Sequence, residues 1–584
     1  MNNVYKTALL AALLSALLSA CNNQAGPNVL SDPADTVFTN GKIYTLDDTK
    51  PWVEAVALKD GKIIEVGTSD AVKSQIGERT QLVDLGGRMA MPGINDAHAH
   101  MFGGLKEIYQ CLFSAELSPD EIRPILEDCV SRAKPGEFVM GGYWASSFFD
   151  KNDIPSPRGW LDDISSGIPI ILADDSGHNS WANTAALDMV GFNAPGLEIA
   201  GGTIVLGADG KPNGMLLEAP SYKAEDIFNK LWSEEQEITG LKHTLSLLAK
   251  YGITGLKDAA TYEKEVKFLH KIDKSEGLSA YIVAAQRTFE DTDDKTDLDF
   301  NHHEKIRDTY RSENLDAAHI KLYLDGVPTS SRTAAMMEDY APDAAHPNAP
   351  ATNGVLHLDP ENVNAFVTEL DKRGFVIKIH AGGDRSVHVA LNAFEAARKA
   401  NGSSGKMHEI AHAGFIVESD LPRLAKLNVS PDISPYLWFP SPVIENVRSV
   451  VTGEQRDSFF PNRTFMNAGA TITAGSDWPS VSPTPSPWPG IEATISRKNP
   501  YGKAEGVYSP EERLTLEETL QIFTINGAKS LLIDDRAGAI KTGYDGNLIV
   551  LNHNLFEIPV EDISETQVEQ TWYRGKLVHG EVSK

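Results

Sequence analysis

The chain has 584 residues, 41% of them hydrophobic, and this length predicts either two to four domains or one large barrel with additions. Its 53 basic and 81 acidic residues give a net charge of −28. An acidic balance of this size argues against the basic face that nucleic-acid binding requires, so we predict no nucleic-acid partner.

The first residues predict export from the cytoplasm. An apolar run follows Lys6 and is too short for a comfortable membrane span, which is typical of a secretory signal. The small residues before Cys21 resemble a lipobox, which implies cleavage of residues 1–20 and lipid attachment to Cys21. An ordinary secretory signal with an incidental cysteine is the alternative. We therefore expect a periplasm-facing lipoprotein of the cell envelope, in the outer membrane because asparagines follow Cys21, with residues 21–34 as a flexible tether.

Both ends of the remaining chain predict β-structure. Residues 35–92 contain short β-like runs separated by Asn-Gly and Asp-Gly pairs, which are strong hairpin signals. Residues 535–584 repeat this style in "DGNLIVLNHN" and "VEQTWYRGKLVHGEV". The economical interpretation is one small β-domain built from both termini.

The middle of the chain, residues 93–534, alternates short apolar runs with helix-like segments such as "EITGLKHTLSLLAKYG". This alternation predicts an α/β fold with parallel strands. Several runs end in His, Asp or Lys, and the carboxyl ends of the strands form the active-site face of a (β/α)₈ barrel. The strand candidates are "FVMGGYW", "PIILADDSG", "GITGLKDAA", "AYIVAAQ", "HIKLYLDG", "FVIKIHAGG", "EIAHAGF" and "ATITAGSDWP".

Two further cysteines, Cys111 and Cys129, lie in this middle region. In an oxidising periplasm they could pair, and two free buried thiols are the alternative. Neither has the neighbours expected of a catalytic nucleophile, and the sequence leaves both states open.

The stretch "MPGINDAHAHMFGG" places His98 and His100 two residues apart. On a strand this spacing points both side chains to one face, which suits two ligands of one metal ion. A hydrogen-bonded pair at a strand end is the alternative. His380, His412 and Asp477 each close a later apolar run, where a barrel would bring them together. The set supplies enough ligands for two borderline-soft cations.

In this order, "PGINDAHAH", "HAGGDRSV", "HEIAHAGF" and "AGSDWP" resemble the amidohydrolase superfamily. More narrowly they resemble the amidohydrolase-3 family, which includes YtcJ-like proteins and N-substituted formamide deformylases. The resemblance extends over nearly all of the chain after the tether. It implies a (β/α)₈ TIM-like barrel with insertions at residues 93–534, and a small β-sandwich domain formed by residues 35–92 and 535–584.

The resemblance also implies two divalent metal ions, with zinc as the first choice. It implies His98 and His100 as ligands of the more buried ion, and His380 and His412 as ligands of the second. Lys321 matches the lysine that is carboxylated and bridges the metals in binuclear members, since a carbamate formed from CO₂ offers two anionic oxygens between two cations. The alternative is a lysine paired with an acid such as Asp325.

The resemblance also implies a catalytic aspartate and a histidine near the substrate, and three tryptophans are candidates for the substrate pocket. Asp477 would ligate a metal, take a proton from the attacking water and return it to the leaving nitrogen, while the metal activates the water and polarises the carbonyl. His178, in "DDSGHNSW", matches a family histidine near the substrate and could hold the carbonyl or the developing oxyanion. Trp144, Trp181 and Trp478 could line an apolar or aryl acyl pocket, with ordinary packing as their alternative.

Two positions depart from the family pattern. Ala411 stands where a glutamate is common, and Glu409 could supply the missing contact; Asn547 replaces an acid in the β-domain. The leading hypothesis is a metal-dependent amidohydrolase that cleaves an amide, N-acyl or N-formyl C–N bond of a small molecule. A lactone or ester hydrolase, a cyclic deaminase, a catalytically silent solute-binding lipoprotein and an envelope scaffold are the alternatives. A homodimer is compatible with the family.

Overall fold

The computed structural model describes residues 33–582 apart from 116, 135, 146–147, 176, 195, 290–295, 330, 343–349 and 481. The predicted signal and Cys21 lie outside the described residues, as does the tether up to residue 32. None of the described helices combines the length and apolarity that a membrane span needs.

Strands lie at both ends of the described chain and alternate with helices between them. In chain order the strands are β1 (Thr36–Thr39), β2 (Lys42–Tyr44), β3 (Trp52–Val53), β4 (Ala55–Lys59), β5 (Lys62–Gly67), β6 (Gln81–Asp84), β7 (Met89–Pro92), β8 (Ile94–Ala99), β9 (Cys111–Leu112), β10 (Val139–Trp144), β11 (Ile170–Asp174), β12 (Asn179–Ala182), β13 (Gly202–Leu206), β14 (Pro212–Glu218), β15 (Ile253–Thr261), β16 (Tyr281–Arg287), β17 (Leu315–Tyr323), β18 (Val376–Ala381), β19 (His408–His412), β20 (Val429–Ile433), β21 (Thr473–Ala474), β22 (Leu548–Leu551), β23 (Val568–Tyr573) and β24 (Lys576–His579).

The α-helices are, in the same order, α1 (Gly103–Tyr109), α2 (Pro119–Arg132), α3 (Phe148–Lys151), α4 (Pro157–Ser165), α5 (Thr184–Met189), α6 (Ala219–Asn229), α7 (Glu234–Lys250), α8 (Glu263–Ser275), α9 (Phe300–Tyr310), α10 (Pro360–Lys372), α11 (Asp384–Asn401), α12 (Leu421–Leu427), α13 (Pro442–Val450), α14 (Asn462–Asn467), α15 (Trp488–Ser496), α16 (Leu516–Gln521) and α17 (Gly527–Ser530).

The central sheet is a parallel barrel with the strand order β8-β15-β16-β17-β18-β19-β20-β21. Its strands are buried almost throughout, as expected for parallel strands covered by helices. The segment after β21 returns to β8, where the Asp477 amide donates to the His98 carbonyl at 2.7 Å. The two segments approach so closely that a Cβ at Gly475 would lie 2.4 Å from the His98 Cβ. The predicted (β/α)₈ barrel is confirmed.

The β-domain is made of two sheets, with strand orders β5-β4-β1-β6 and β24-β23-β22-β7-β2-β3. The second sheet pairs β22 with β7 and so joins the two ends of the chain. Apolar side chains of both sheets form one core, in which Phe38 packs edge-to-face on Trp572 at 5.0 Å between ring centroids. Asn547 accepts a hydrogen bond from the Arg574 amide at 2.8 Å, so it has a structural partner within this domain.

A third sheet, which we call the inserted sheet, consists of β9–β14 and lies between β8 and β15 in the chain. The runs "FVMGGYW" and "PIILADDSG" are strands, as predicted, and pair in parallel, but as β10 and β11 they belong to this mixed sheet and not to the barrel. A short apolar run is the sequence pattern of any buried parallel strand. The pattern therefore does not show which sheet the strand belongs to. A disulfide between Cys111 and Cys129 ties β9 to α2, and it decides between the two states that the sequence left open.

Candidate active site

The barrel brings most of the predicted site residues to one end. Each lies at or directly after the carboxyl end of a strand, which is the face where barrels of this kind hold their sites. In order around the barrel they are His98 and His100 (β8), Lys321 (β17), His380 (β18), His412 (β19) and Asp477 (after β21).

Three of these side chains form a compact donor cluster. One ligand atom each of His98, His100 and Asp477 can be chosen so that all lie within 4.8 Å of one another. Asp477 Oδ1 is 3.6 Å from His98 Nε2 and 3.3 Å from His100 Nε2. All three residues are buried. Two imidazoles and a carboxylate at this separation match the donor types of a zinc-like site.

The other two histidines lie beside this cluster. The His412 ring is 5.0 Å from the His98 ring and 4.8 Å from the His380 ring, measured between centroids. His412 Nδ1 is 4.0 Å from Asp477 Oδ2. His412 and Asp477 both have positive φ angles, of 71° and 53°, in the left-handed region that non-glycine residues rarely adopt. Such strain at neighbouring polar residues is typical of functional sites.

The protonation of the histidines suits metal binding. Burial lowers the pKa of His98, His380 and His412, and the positive charge of Lys321 adds to this effect; His380 falls to about 3. These rings are therefore neutral near pH 7. His98 Nδ1 donates to Asp432 Oδ2 at 2.8 Å, which leaves the lone pair on Nε2, the atom nearer Asp477.

His100 Nε2 is the ring nitrogen close to Asp477, whereas its Nδ1 lies 4.0 Å from Asp258 Oδ1. Neutral imidazoles and a buried carboxylate together fit a borderline-soft divalent cation.

Lys321 is 1% exposed and lines the same cavity. Burial and the positive charge of Lys378 lower the pKa of Lys321 to about 7. Within the described chain its ammonium has no acid within ion-pair distance, and it lies 5.0 Å from the centroid of the Tyr323 ring. Asp325 instead accepts hydrogen bonds from the amides of Ala335 and Gly382 at 2.8 and 2.9 Å. The alternative of a Lys321–Asp325 ion pair is therefore wrong.

Beneath the donor cluster lies a buried charge chain, by which we mean Lys257, Glu409, Lys378 and Asp432. Lys257 contacts Glu409, Glu409 Oε2 lies 3.0 Å from Lys378 Nζ, and Lys378 contacts Asp432, which in turn accepts from His98. All four side chains are 0% exposed. Glu409 is thus bound within the buried charge chain. Asp432 is a site residue that the sequence did not predict.

The donor cluster opens into a cavity of about 1710 Å³. The inserted sheet and the helix after it supply one wall, including His178, Glu218 and Tyr222. His178 Nδ1 is 2.9 Å from Glu218 Oε2, and the Tyr222 hydroxyl donates to the same oxygen at 3.0 Å. Burial opposes a charge on His178, but the hydrogen bond to Glu218 and its negative charge outweigh burial and raise the pKa of His178.

The three predicted substrate-contacting tryptophans lie elsewhere. Trp144 and Trp181 are buried in the core of the inserted sheet and its helices, where their indole N–H groups donate to the Leu172 and Pro157 carbonyls. Trp478 is 1% exposed and packs against Gly103. None of the three is among the described residues that line the cavity, so their role in this structure is packing and not contact with a substrate.

Residues 81–579 match the model of the Amidohydrolase family. The chain belongs to this family. Together with the donor cluster, membership supports a metal-dependent hydrolase at a general level.

Two relatives and one solved structure show how far the similarity extends. The chain is 26% identical over 564 residues to the protein LONG AFTER FAR-RED 3 of Arabidopsis thaliana, covering 94% of this chain and 92% of that protein. It is 25% identical over 566 residues to an N-substituted formamide deformylase of Arthrobacter pascens, covering 93% and 98%. An uncharacterized metal-dependent hydrolase from Pyrococcus horikoshii shares the fold, with a TM-score of 0.71 at 21% identity over 90% of this chain and 99% of that one.

Proposed function

We propose that this protein is a metal-dependent hydrolase that cleaves a C–N bond, in an amide, N-acyl amine or N-formyl amine. The observation that carries the proposal is the buried His98–His100–Asp477 cluster, flanked by two neutral imidazoles, at the floor of the cavity. The similarity to a formamide deformylase over nearly the whole of both chains supports the bond type.

Asp477 is the proposed general base and acid. Bound divalent ions, held by the barrel-end histidines and Asp477, would lower the pKa of a water molecule and polarise the scissile carbonyl. Asp477 would accept the proton of that water and pass it to the leaving nitrogen, because amines leave poorly unless they are protonated. Its backbone amide is tied to the His98 carbonyl at 2.7 Å, which fixes its carboxylate between the two rings of the cluster.

Lys321 is the proposed carbamate residue. An amine adds to CO₂ only in its neutral form: its nitrogen bonds to the carbon and releases one proton to water. A pKa of about 7 gives Lys321 a substantial neutral fraction at neutral pH. The product would carry one negative charge shared over two oxygens, and these could serve as ligands for the divalent ions.

His178 is the proposed electrophile from the opposite wall. Its raised pKa favours the protonated ring, which would donate a hydrogen bond to the carbonyl oxygen as negative charge develops there.

We also propose an envelope location with a lipid anchor at Cys21. The Cys111–Cys129 disulfide supports an oxidising compartment, because such bonds are rare in reducing ones.

The test of the proposed function is turnover of a panel of N-substituted formamides and N-acyl amines by the zinc-reconstituted protein. His98→Ala should abolish activity with little loss of fold. Asp477→Asn should keep most of the metal and lose turnover by about 10²-fold or more, since general acid–base catalysis commonly contributes that much. His302→Ala is the matched control, since His302 is an exposed histidine on α9. A wild-type rate in His98→Ala would contradict the assignment.

A further inference from the structure

We propose that Glu218 and Tyr222 are positioning residues that fix the orientation of His178 and hold its ring protonated toward the substrate. The inference rests on the proposed function, in which His178 meets the substrate carbonyl. It assigns part of the catalytic machinery to the inserted sheet and α6, outside the barrel.

The geometry is that of a three-membered hydrogen-bond cluster. Glu218 Oε2 receives His178 Nδ1–H at 2.9 Å and the Tyr222 hydroxyl at 3.0 Å, and that hydroxyl also contacts His178 Nδ1. A carboxylate is only an acceptor, so the proton on Nδ1 is specified. The ring therefore presents its Nε2 edge away from Glu218, and His178 lines the cavity together with both partners.

The backbone shows that this placement is held firmly. The Glu218 amide donates to the His178 carbonyl at 2.8 Å, which joins the ends of β12 and β14. Glu218 adopts a φ of 58°, in the left-handed region that non-glycine residues rarely adopt. The His178 amide donates to Asp174 Oδ1 at 3.1 Å. The residue with this unusual backbone conformation is the one whose carboxylate accepts from the cavity histidine.

The charges around His178 favour its cationic form. Asp174 lies on β11, Glu218 ends β14, and Tyr222 and Glu225 lie on α6. His357 and His380 are the neighbouring histidines, and His380 is neutral near pH 7 because its pKa is about 3. Glu218 Oε2 lies 2.9 Å from the ring nitrogen Nδ1 of His178. Glu225 receives its hydrogen bond from Ser180 at 3.2 Å instead.

The experiment is ¹⁵N NMR of the zinc-loaded full chain with ¹⁵N-labelled histidine, with the His178 signals assigned by comparison with His178→Gln. In the wild type the titration midpoint of His178 should lie above the ordinary histidine value of about 6.5. Glu218→Gln keeps an acceptor for Nδ1 but removes the charge, so the titration midpoint of His178 should fall by about 1–3 pH units. Glu225→Gln, which removes a nearby charge without touching the ring, should shift the midpoint less.

Two further variants complete the design. Tyr222→Phe removes one hydrogen bond to Glu218 and should lower the midpoint by less than Glu218→Gln does; it also tests the proposal if Glu218→Gln fails to fold. Glu107→Gln should move only the signals of His243, its partner at 2.9 Å on the surface. Unchanged His178 signals in both Glu218→Gln and Tyr222→Phe would overturn the proposal.

Kinetics separate this inference from the proposed function. On any formamide or N-acyl amine that the wild type turns over, Glu218→Gln should lower kcat about 10- to 100-fold, as loss of a group that orients a functional ring commonly does. An effect confined to KM would overturn the positioning role. If the wild type turns over none of the panel, the C–N hydrolase proposal fails, while the NMR result still decides the role of Glu218.

Discussion

Removing Lys378 from the buried charge chain should destabilise the barrel strongly. Its ammonium contacts both Asp432 and Glu409, and all these groups are 0% exposed. The buried charge chain contains two positive charges, on Lys257 and Lys378, and two negative charges. Lys378→Met therefore leaves one uncompensated negative charge in the barrel. Breaking a buried pair by removing one partner costs about 3–5 kcal/mol.

The assay is urea unfolding followed by tryptophan fluorescence, with the free energy of unfolding compared between variants. Lys242→Met is the matched control, because Lys242 makes a 2.6 Å pair with Glu276 at 43% and 57% exposure. Exposed pairs contribute about 0–1 kcal/mol. The double variant Lys378→Met/Glu409→Gln restores charge balance, so its cost should be smaller than the sum of the single costs by about 0.5–3 kcal/mol. Equal losses in Lys378→Met and Lys242→Met would refute the reasoning.

Three further predictions concern the stability of the fold and the closure of the barrel between β21 and β8. Burial raises the pKa of Asp371, but hydrogen bonds, first that from His408 at 3.0 Å, lower it overall, so its stabilising effect is present above about pH 4 and is lost as pH falls below that; Asp371→Asn should flatten this acid limb in unfolding curves, and an unchanged limb would contradict it. Replacing both Cys111 and Cys129 by Ala should cost about 3 kcal/mol for an 18-residue separation, seen as faster hydrogen exchange in the inserted sheet; exchange at the wild-type rate would count against it. Gly475→Ala should cost about 1–3 kcal/mol and reduce metal content, because its Cβ would collide with the first barrel strand; thermal unfolding with metal analysis checks this, and wild-type values would be inconsistent with the close approach.

Much of the site could be predicted from the sequence because its residues follow a local rule. An apolar run that ends in His, Lys or Asp can be recognised in the sequence. The parallel topology of a barrel brings the carboxyl ends of such strands together. His380, His412 and Asp477 each close such a run, whereas His98 and His100 were predicted from their spacing of two residues. The alternation of runs and helices predicted an α/β fold with parallel strands, the family resemblance implied the barrel, and the β-like runs at both termini predicted the β-domain.

The remaining features depend on contacts that the sequence does not display. β20 was missed because Pro431 interrupts its pattern, and Asp432 was missed with it. Glu218 lies 40 residues after His178, and only the pairing within the inserted sheet brings them together. Trp144 lies at a strand end, as the sequence suggested. The inserted sheet, which was not predicted, determines that its side chain packs in the core and does not face the cavity.

The central claim is that the barrel end binds divalent metal through its strand-end residues. The most direct measurement is elemental analysis of the purified mature chain by plasma mass spectrometry, with His98→Ala alongside. The account predicts about two equivalents of zinc or a similar ion in the wild type and a clear loss in the variant. No metal in the wild type, even after reconstitution with zinc and bicarbonate, would contradict it.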